Sequence, residues 1–253
     1  MKKNFYPFAL VAFIVIVFTS CQKESADKLT THSLKVKTYT EDVTSSYWGN
    51  SVTTYNLNYD SDDRLVSLAD AANPGNKFVF AYPSSSKYTM DIFNNNVKDL
   101  HVDYLLNSQS LIDSSFQYNN TGDTLTEKYI YNAARQLTTL HQYDYSVITG
   151  ANLWKTTSYT YDGGGNMIKS EDSDQTSTYE YYTDKVYLMP QLMPMLAASQ
   201  KASLLKKVTL SVNGNVLGST SNTYTFDSKD RISTIRYDYS DGTMVTRTFT
   251  YFD

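Results

Sequence analysis

The sequence predicts an all-β protein, built from antiparallel hairpins in series that form a twisted or partly rolled sheet, with one short helical segment near 190–205. Three observations carry this. The chain holds 23 tyrosines among its 253 residues, and Tyr, like Thr, suits a pleated, half-buried surface. Apolar and polar residues alternate with period two, as in Thr54-Tyr55-Asn56-Leu57-Asn58-Tyr59, where Tyr55, Leu57 and Tyr59 share one face. A short unit recurs: an aromatic-x-aromatic triplet, then Asp or Asn, a polar turn, and an apolar residue six places after the last aromatic.

The units run Tyr59-Asp60 to Leu65, Tyr131-Asn132 to Leu137, Tyr161-Asp162 to Met167, and Phe226-Asp227 to Ile232. In Tyr118-Asn119 the turn is one residue longer and leads to Leu125. Three units carry a further apolar residue three places on, at Leu68, Leu140 and Ile235. The physical sense is direct. A strand ends at the aromatic, Asp or Asn bonds its own backbone to start the turn, and the apolar residue starts the return strand on the buried face. Gly122 and Gly163 to Gly165 supply positive-φ positions. Each unit is a hairpin whose loop fixes the register.

Tyr55 to Leu65 and Tyr224 to Ile232 resemble YD (RHS-type) repeats, which read Tyr-x-Tyr-Asp, a few turn residues, Gly, then Arg-Leu. Here Asp63 and Asp230 stand where the Gly is usual. The resemblance covers most of residues 50–253 and implies a repetitive antiparallel architecture. It implies no activity.

The front of the chain reads as a lipoprotein signal. Lys2 and Lys3 precede an unbroken apolar run, Phe8 to Phe18. The run is too short to span a bilayer as a helix, which takes roughly 17–25 residues, and it fits the core of a secretion signal. Phe18-Thr19-Ser20-Cys21 resembles a relaxed lipobox, with Cys21 as the lipidated residue. With the repeats, this is similar to uncharacterised Bacteroidetes lipoprotein families. The expected organisation is a signal peptide at 1–20, a lipidated N-terminus and flexible tether at 21–31, and one β domain at 32–253. Lys23-Glu24 resembles a short export signal to the outer cell face. The expected location is the outer membrane, on the cell surface or the periplasmic face.

Composition narrows the chemistry. Cys21 is the only cysteine, so neither an internal disulfide nor a multi-cysteine metal site is possible. The net charge is −4, or −6 once Lys2 and Lys3 are removed, which argues against nucleic acid. His32, His101 and His141 fall in no metal-spaced motif. Asp60-Ser61-Asp62-Asp63 and Asp172-Ser173-Asp174 read as turns, since the EF-hand Gly and Glu are replaced by Leu65 and Ala71. Gly163-Gly164-Gly165 lacks the Lys-Ser/Thr ending of a P-loop, and no Gly-x-Ser-x-Gly elbow appears. No cofactor is implied.

Met-rich Leu188 to Leu196, with Pro194 placed for a first helical turn, reads as the one helical segment, capping the sheet or offering an adaptable contact. Tyr47, Trp48 and Trp154 lie in polar, turn-rich stretches and are the candidate ligand contacts. Two functions stand. One is a membrane-anchored, non-catalytic binding module for a glycan or a protein. The alternative is a polysaccharide hydrolase using a carboxylate pair.

Overall fold

The computed structural model describes residues 35–47, 49–119, 124–146, 150–188 and 201–252. The described chain is β throughout. Its first eight strands are β1 (Val36–Thr44), β2 (Ser51–Tyr59), β3 (Leu65–Asp70), β4 (Lys77–Ser84), β5 (Lys87–Asn94), β6 (Val97–Leu106), β7 (Ile112–Asn119) and β8 (Thr124–Tyr131). The other eight are β9 (Leu137–Ser146), β10 (Gly150–Tyr161), β11 (Met167–Glu171), β12 (Gln175–Leu188), β13 (Lys201–Val212), β14 (Asn215–Phe226), β15 (Ile232–Tyr239) and β16 (Met244–Tyr251). Every strand pairs with its sequence neighbours, and β16 returns to β1, so the sixteen strands form a closed antiparallel barrel.

Two expectations change here. The sheet is not partly rolled but fully closed: β1 pairs with β16 from Val36↔Tyr251 to Thr44↔Met244, with one bulge between Val36 and Thr38. Closure satisfies backbone groups that two open edges would leave exposed to other chains. The helical segment near 190–205 is also corrected. Lys201 to Leu205 begin β13 and pair with β12 from Leu188 back to Tyr181. Pairing buries Leu204 and Leu205 to 1% and 5% exposure, which a helix lying outside the sheet would not achieve. Residues 189–200 lie outside the described residues.

The hairpin connections divide between two ends. Odd-to-even connections form one, called the loop end. Even-to-odd connections form the other, the turn end, where the chain also enters at Lys35 and leaves at Phe252. Five turns at the turn end share one design, at 60–64, 107–111, 132–136, 162–166 and 227–231. In each, the amide of the first residue donates to the carbonyl of the fifth, and the amide of the fourth donates to the carbonyl of the first. The side chain of the first residue accepts the amide of the fifth: Asp60 from Arg64, Asn107 from Leu111, Asn132 from Gln136, Asp162 from Asn166, Asp227 from Arg231. The fourth residue is left-handed, at φ of 64° for Asp63, 59° for Ser110, 63° for Arg135, 86° for Gly165 and 57° for Asp230. Only Gly165 takes that conformation without a Cβ penalty.

The turn at 107–111 follows Leu106 rather than an aromatic, so the aromatic triplet does not announce it. Conversely, the connection after Tyr118-Asn119 joins β7 to β8 at the loop end and does not belong with the others. Its residues 120–123, including Gly122, lie outside the described residues.

The tyrosines that mark the repeats have a common task. The hydroxyls of Tyr59, Tyr82, Tyr161, Tyr181, Tyr224 and Tyr251 donate to the carbonyls of Val36, Leu65, Leu137, Met167, Leu205 and Ile232, at 2.7–3.0 Å. Val36, Leu65, Leu137, Met167 and Ile232 each open the preceding strand, and Leu205 lies near the start of β13. In these strand pairs aromatic and apolar positions meet as tyrosine hydroxyl and backbone carbonyl.

Period-two alternation decides inside from outside. In β16, Val245, Arg247 and Phe249 are buried, while Thr248 and Thr250 between and beyond them are exposed. In β12, Ser177 and Tyr179 are buried and Thr178 and Glu180 exposed. The inward apolar residues form two clusters. One gathers Val36, Tyr39, Leu57, Leu68, Phe80, Ile232, Ile235 and Phe249. The other gathers Tyr88, Val102, Tyr104, Tyr129, Leu140, Tyr159, Met167 and Tyr179. These side chains are 0–8% exposed, so this part of the lumen is filled.

Asp227→Ala removes the acceptor of the Lys229 and Arg231 amides and of the Arg231 guanidinium. It is expected to lower stability by about 1–2 kcal/mol. Asp230→Gly relieves the left-handed backbone and is expected to raise stability by about 0.5–1 kcal/mol. Urea midpoints check both. Burial pushes Tyr59 and Tyr82 up from 10.0 to about 12. A raised folded-state pKa means stability is full below pH 10 and falls as pH climbs through about 12. Tyrosinate absorbance is therefore expected to appear together with loss of the β circular-dichroism signal, not ahead of it.

Candidate functional site

Two regions gather chemistry: the polar groups inside the barrel and an aromatic patch on its outer wall. Inside, the seam between β1 and β16 carries a charge pair. Glu41 and Arg247 face each other in register, and the Arg247 guanidinium donates through Nε to Glu41 at 3.0 Å. It also donates to the Tyr237 hydroxyl at 3.3 Å, and lies 4.9 Å from the Tyr237 ring centroid. Tyr39 donates its hydroxyl to Glu41, and its ring stacks between Tyr55 and Phe249. Burial raises the Tyr39 pKa; Arg247 opposes this and Glu41 adds to it.

A second inward carboxylate, Glu127, is held by other donors. Ser115 Oγ and Tyr129 Oη donate to its Oε2 at 2.8 and 2.6 Å, and Gln142 Nε2 donates to Oε1 at 2.9 Å. Glu41 and Glu127 thus belong to separate interior networks. The carboxylates whose pKa moves resolvably all move down. Hydrogen bonds from Arg64 lower Asp60. Burial pushes Asp91, Asp172 and Asp227 up, and contacts from Lys98 and His101, from Lys155, and from the Arg231 turn outweigh it.

The acidic loops do turn work. Asp60 accepts from the Asp62 and Arg64 amides and pairs with the Arg64 side chain. Asp172 accepts from the Asp174 and Gln175 amides and pairs with Lys155 at 2.8 Å. Among the described residues no group of three or more His, Cys, Asp or Glu is placed to hold a metal ion.

The outer wall is mostly Thr, Ser, Asn and charged residues, such as Thr38, Thr40 and Asp42 on β1 and Thr234, Arg236 and Asp238 on β15. One quarter differs. On β7 to β10 the strand registers line up Phe116↔Thr126, Thr126↔Tyr143 and Tyr143↔Leu153. All point outward, because Ser115 beside Phe116 is fully buried and Gln142 beside Tyr143 reaches Glu127 inside. Tyr118, 45% exposed, extends the patch along β7 and packs against His101 of β6. Trp154 follows Leu153 at a β-bulge, the register slipping between Leu153 and Lys155. A bulge leaves one residue out of the ladder and re-aims its side chain. Leu153 is 53% exposed and Trp154 58%.

Of the residues singled out from sequence, Trp154 lies beside this patch and not in it: at the bulge it shares Gln142 with Lys155 in the register, and its ring lies 6.0 Å from Lys155 Nζ, which pairs with Asp172. Tyr47 is 77% exposed in the β1–β2 loop, also at the loop end but eight strands round the barrel. Trp48 and Cys21 lie outside the described residues. Phe116, Tyr143 and Leu153 escape a sequence reading. Each sits in ordinary alternation, and only the pairing register joins them.

Solved structures supply a likeness. A porin-like protein from Bacteroides uniformis ATCC 8492 aligns at TM-score 0.58 and 13% identity, over 85% of this chain and 96% of its own. A porin-like protein from Bacteroides vulgatus ATCC 8482 aligns at TM-score 0.60 and 13% identity, over 86% of this chain and 98% of its own. At that identity the likeness is one of fold. No family model matches the chain, and no curated protein matches it. A membrane-spanning barrel turns an apolar band outward and a polar wall inward. Along the described strands this barrel packs its apolar clusters inward and turns a mostly polar wall outward, with exposed apolar residues in the β7–β10 patch and singly at positions such as Val52, Ile130 and Val216.

Arg247→Met leaves Glu41 at the seam without its cation, and is expected to cost about 3 kcal/mol. Adding Glu41→Gln removes the stranded charge and is expected to recover much of that loss. Equilibrium denaturation of both variants checks the coupling.

Proposed function

We propose that this chain is a cell-envelope lipoprotein, anchored by lipid at Cys21, whose barrel stands in water and acts as a non-catalytic binding module for a glycan or a protein. The observation that carries this reading is the direction of the wall. Inward positions hold the two packed apolar clusters and a few bonded polar groups; outward positions are mostly Thr, Ser, Asn and charged residues, with the β7–β10 patch and scattered exposed apolar residues such as Val52, Ile130 and Val216. Such a wall suits water, not acyl chains, where each outward charge near the midplane costs about 2–4 kcal/mol. The filled lumen suits a scaffold and not a channel. Several acyl chains on Cys21 hold a water-facing domain at a membrane, each buried CH₂ contributing about 0.8 kcal/mol. The porin-like architecture of the similar structures suits an outer-membrane setting.

The hydrolase alternative asks for two facing carboxylates, one with a raised pKa. Glu41 and Glu127 sit in separate networks, each with its own donors, and the carboxylates that shift go down. The binding reading is therefore the better supported.

Cys21→Ser in the full chain removes the anchor and leaves the barrel intact. The variant is expected to leave the membrane fraction and stay soluble without detergent, folded by circular dichroism. A variant that still needs detergent for extraction would mean that the wall itself is in lipid, and would overturn the reading.

A further inference from the structure

We propose that the β7–β10 patch binds a neutral, β-linked glycan laid across the strands at the loop end of the barrel. This rests on the binding-module reading and names its ligand class. The patch alternates rings with polar groups. Across the wall, Asp103, Phe116, Thr126, Tyr143 and Leu153 follow one another in register. Phe116 and Tyr143 are two strand spacings apart, about 9.5 Å, close to the length of a disaccharide. A sugar offers an apolar C–H face to a ring and hydroxyls at its rim, so rings separated by Thr and Asp suit a chain of sugars better than a continuous apolar surface would.

Charge narrows the class further. Three lysines round the patch are each paired with an aspartate: Lys87 with Asp103 at 2.8 Å, Lys98 with Asp91 at 2.9 Å, and Lys128 with Asp113 at 2.6 Å. A surface whose cations are already neutralised complements an uncharged ligand and not a polyuronate or a phosphate polymer.

Area argues against a second copy of the chain. With side chains 45% and 53% exposed at Tyr118 and Leu153, the patch offers on the order of 400 Å² at most to a partner. A stable protein interface takes about 800 Å² from each side. Closure of the barrel also removes the free strand edge that a peptide would extend. Location argues against the anchoring membrane, because the chain enters at Lys35 on the turn end, and the patch lies toward the loop end.

The test is calorimetric titration of the detergent-extracted full chain with cellohexaose, xylohexaose and β-1,4-mannohexaose, beside hexagalacturonate as the acidic probe. At least one neutral hexasaccharide is expected to bind, and Phe116→Ala and Tyr143→Ala are each expected to weaken it by about tenfold or more. Thr248→Ala, outward on β16, is expected to bind like the parent. Circular dichroism confirms that each variant keeps its barrel. The proposal fails if no neutral hexasaccharide binds, if hexagalacturonate binds more tightly, or if both aromatic variants bind as the parent does. Sedimentation showing a dimer that Tyr143→Ala disperses would assign the patch to a second copy and overturn it. None of these outcomes alters the solubility of Cys21→Ser, so failure of the ligand class is distinguishable from failure of the binding-module reading.

Discussion

The barrel depends on one seam. A meander of sixteen strands has two edges, and here they are the first and last strands, more than two hundred residues apart in sequence. Their pairing converts an open sheet with exposed edges into a closed wall. Glu41 and Arg247 meet at that seam, flanked by the rings of Tyr39, Tyr237 and Phe249. A buried ion pair is weak evidence for stability, since desolvation offsets most of its attraction. What it supplies is register. A slip of one residue would turn Arg247 outward and Thr248 inward along the whole strand, and would leave Glu41 buried against no cation.

Closure then determines what the two faces can do. Once the sheet is a tube, the inward face is shielded from water without any second layer, so alternate residues suffice for a core. The tyrosines make this core possible. Their rings fill the width of a large barrel, and the hydroxyls of Tyr59, Tyr82, Tyr161, Tyr181, Tyr224 and Tyr251 find backbone carbonyls on the strand before. A phenylalanine in the same place would bury equal area and leave those carbonyls without the donor. Each repeat is tied to the one before it by this bond, and the asparagine or aspartate turn beside it holds the strand ends in place. A filled lumen in turn moves function to the outer wall, where the β7–β10 patch interrupts an otherwise hydrophilic surface.

The repeat grammar was largely legible. Units at Asp60, Asn132, Asp162 and Asp227 become near-identical turns, and Leu65, Leu68, Leu140, Met167, Ile232 and Ile235 are buried as their spacing implied. The turn at Asn107 was not legible, because Leu106 stands where the other units have an aromatic. Asn119 looked like a unit and belongs to the opposite end. The stretch 201–205 read as the end of a helical segment begun at Pro194, yet β12 offered a partner strand and Lys201 to Leu205 pair with it. Trp154 was visible as an oddity in a polar stretch. Its neighbours Phe116 and Tyr143 looked like any other alternating aromatics.

By itself the sequence determined which residues pair locally, because Asp and Asn turn chemistry, left-handed fourth positions and period-two alternation are properties of a few adjacent residues. It also determined that the wall would have one apolar face. It did not determine which curvature that face would take, nor that the first strand would meet the last. Those are long-range pairings, whose cost in chain entropy is recovered only when the entire tube forms. The aromatic patch is decided at the same level. Its residues come from β7, β9 and β10, and only the register of neighbouring strands sets them side by side.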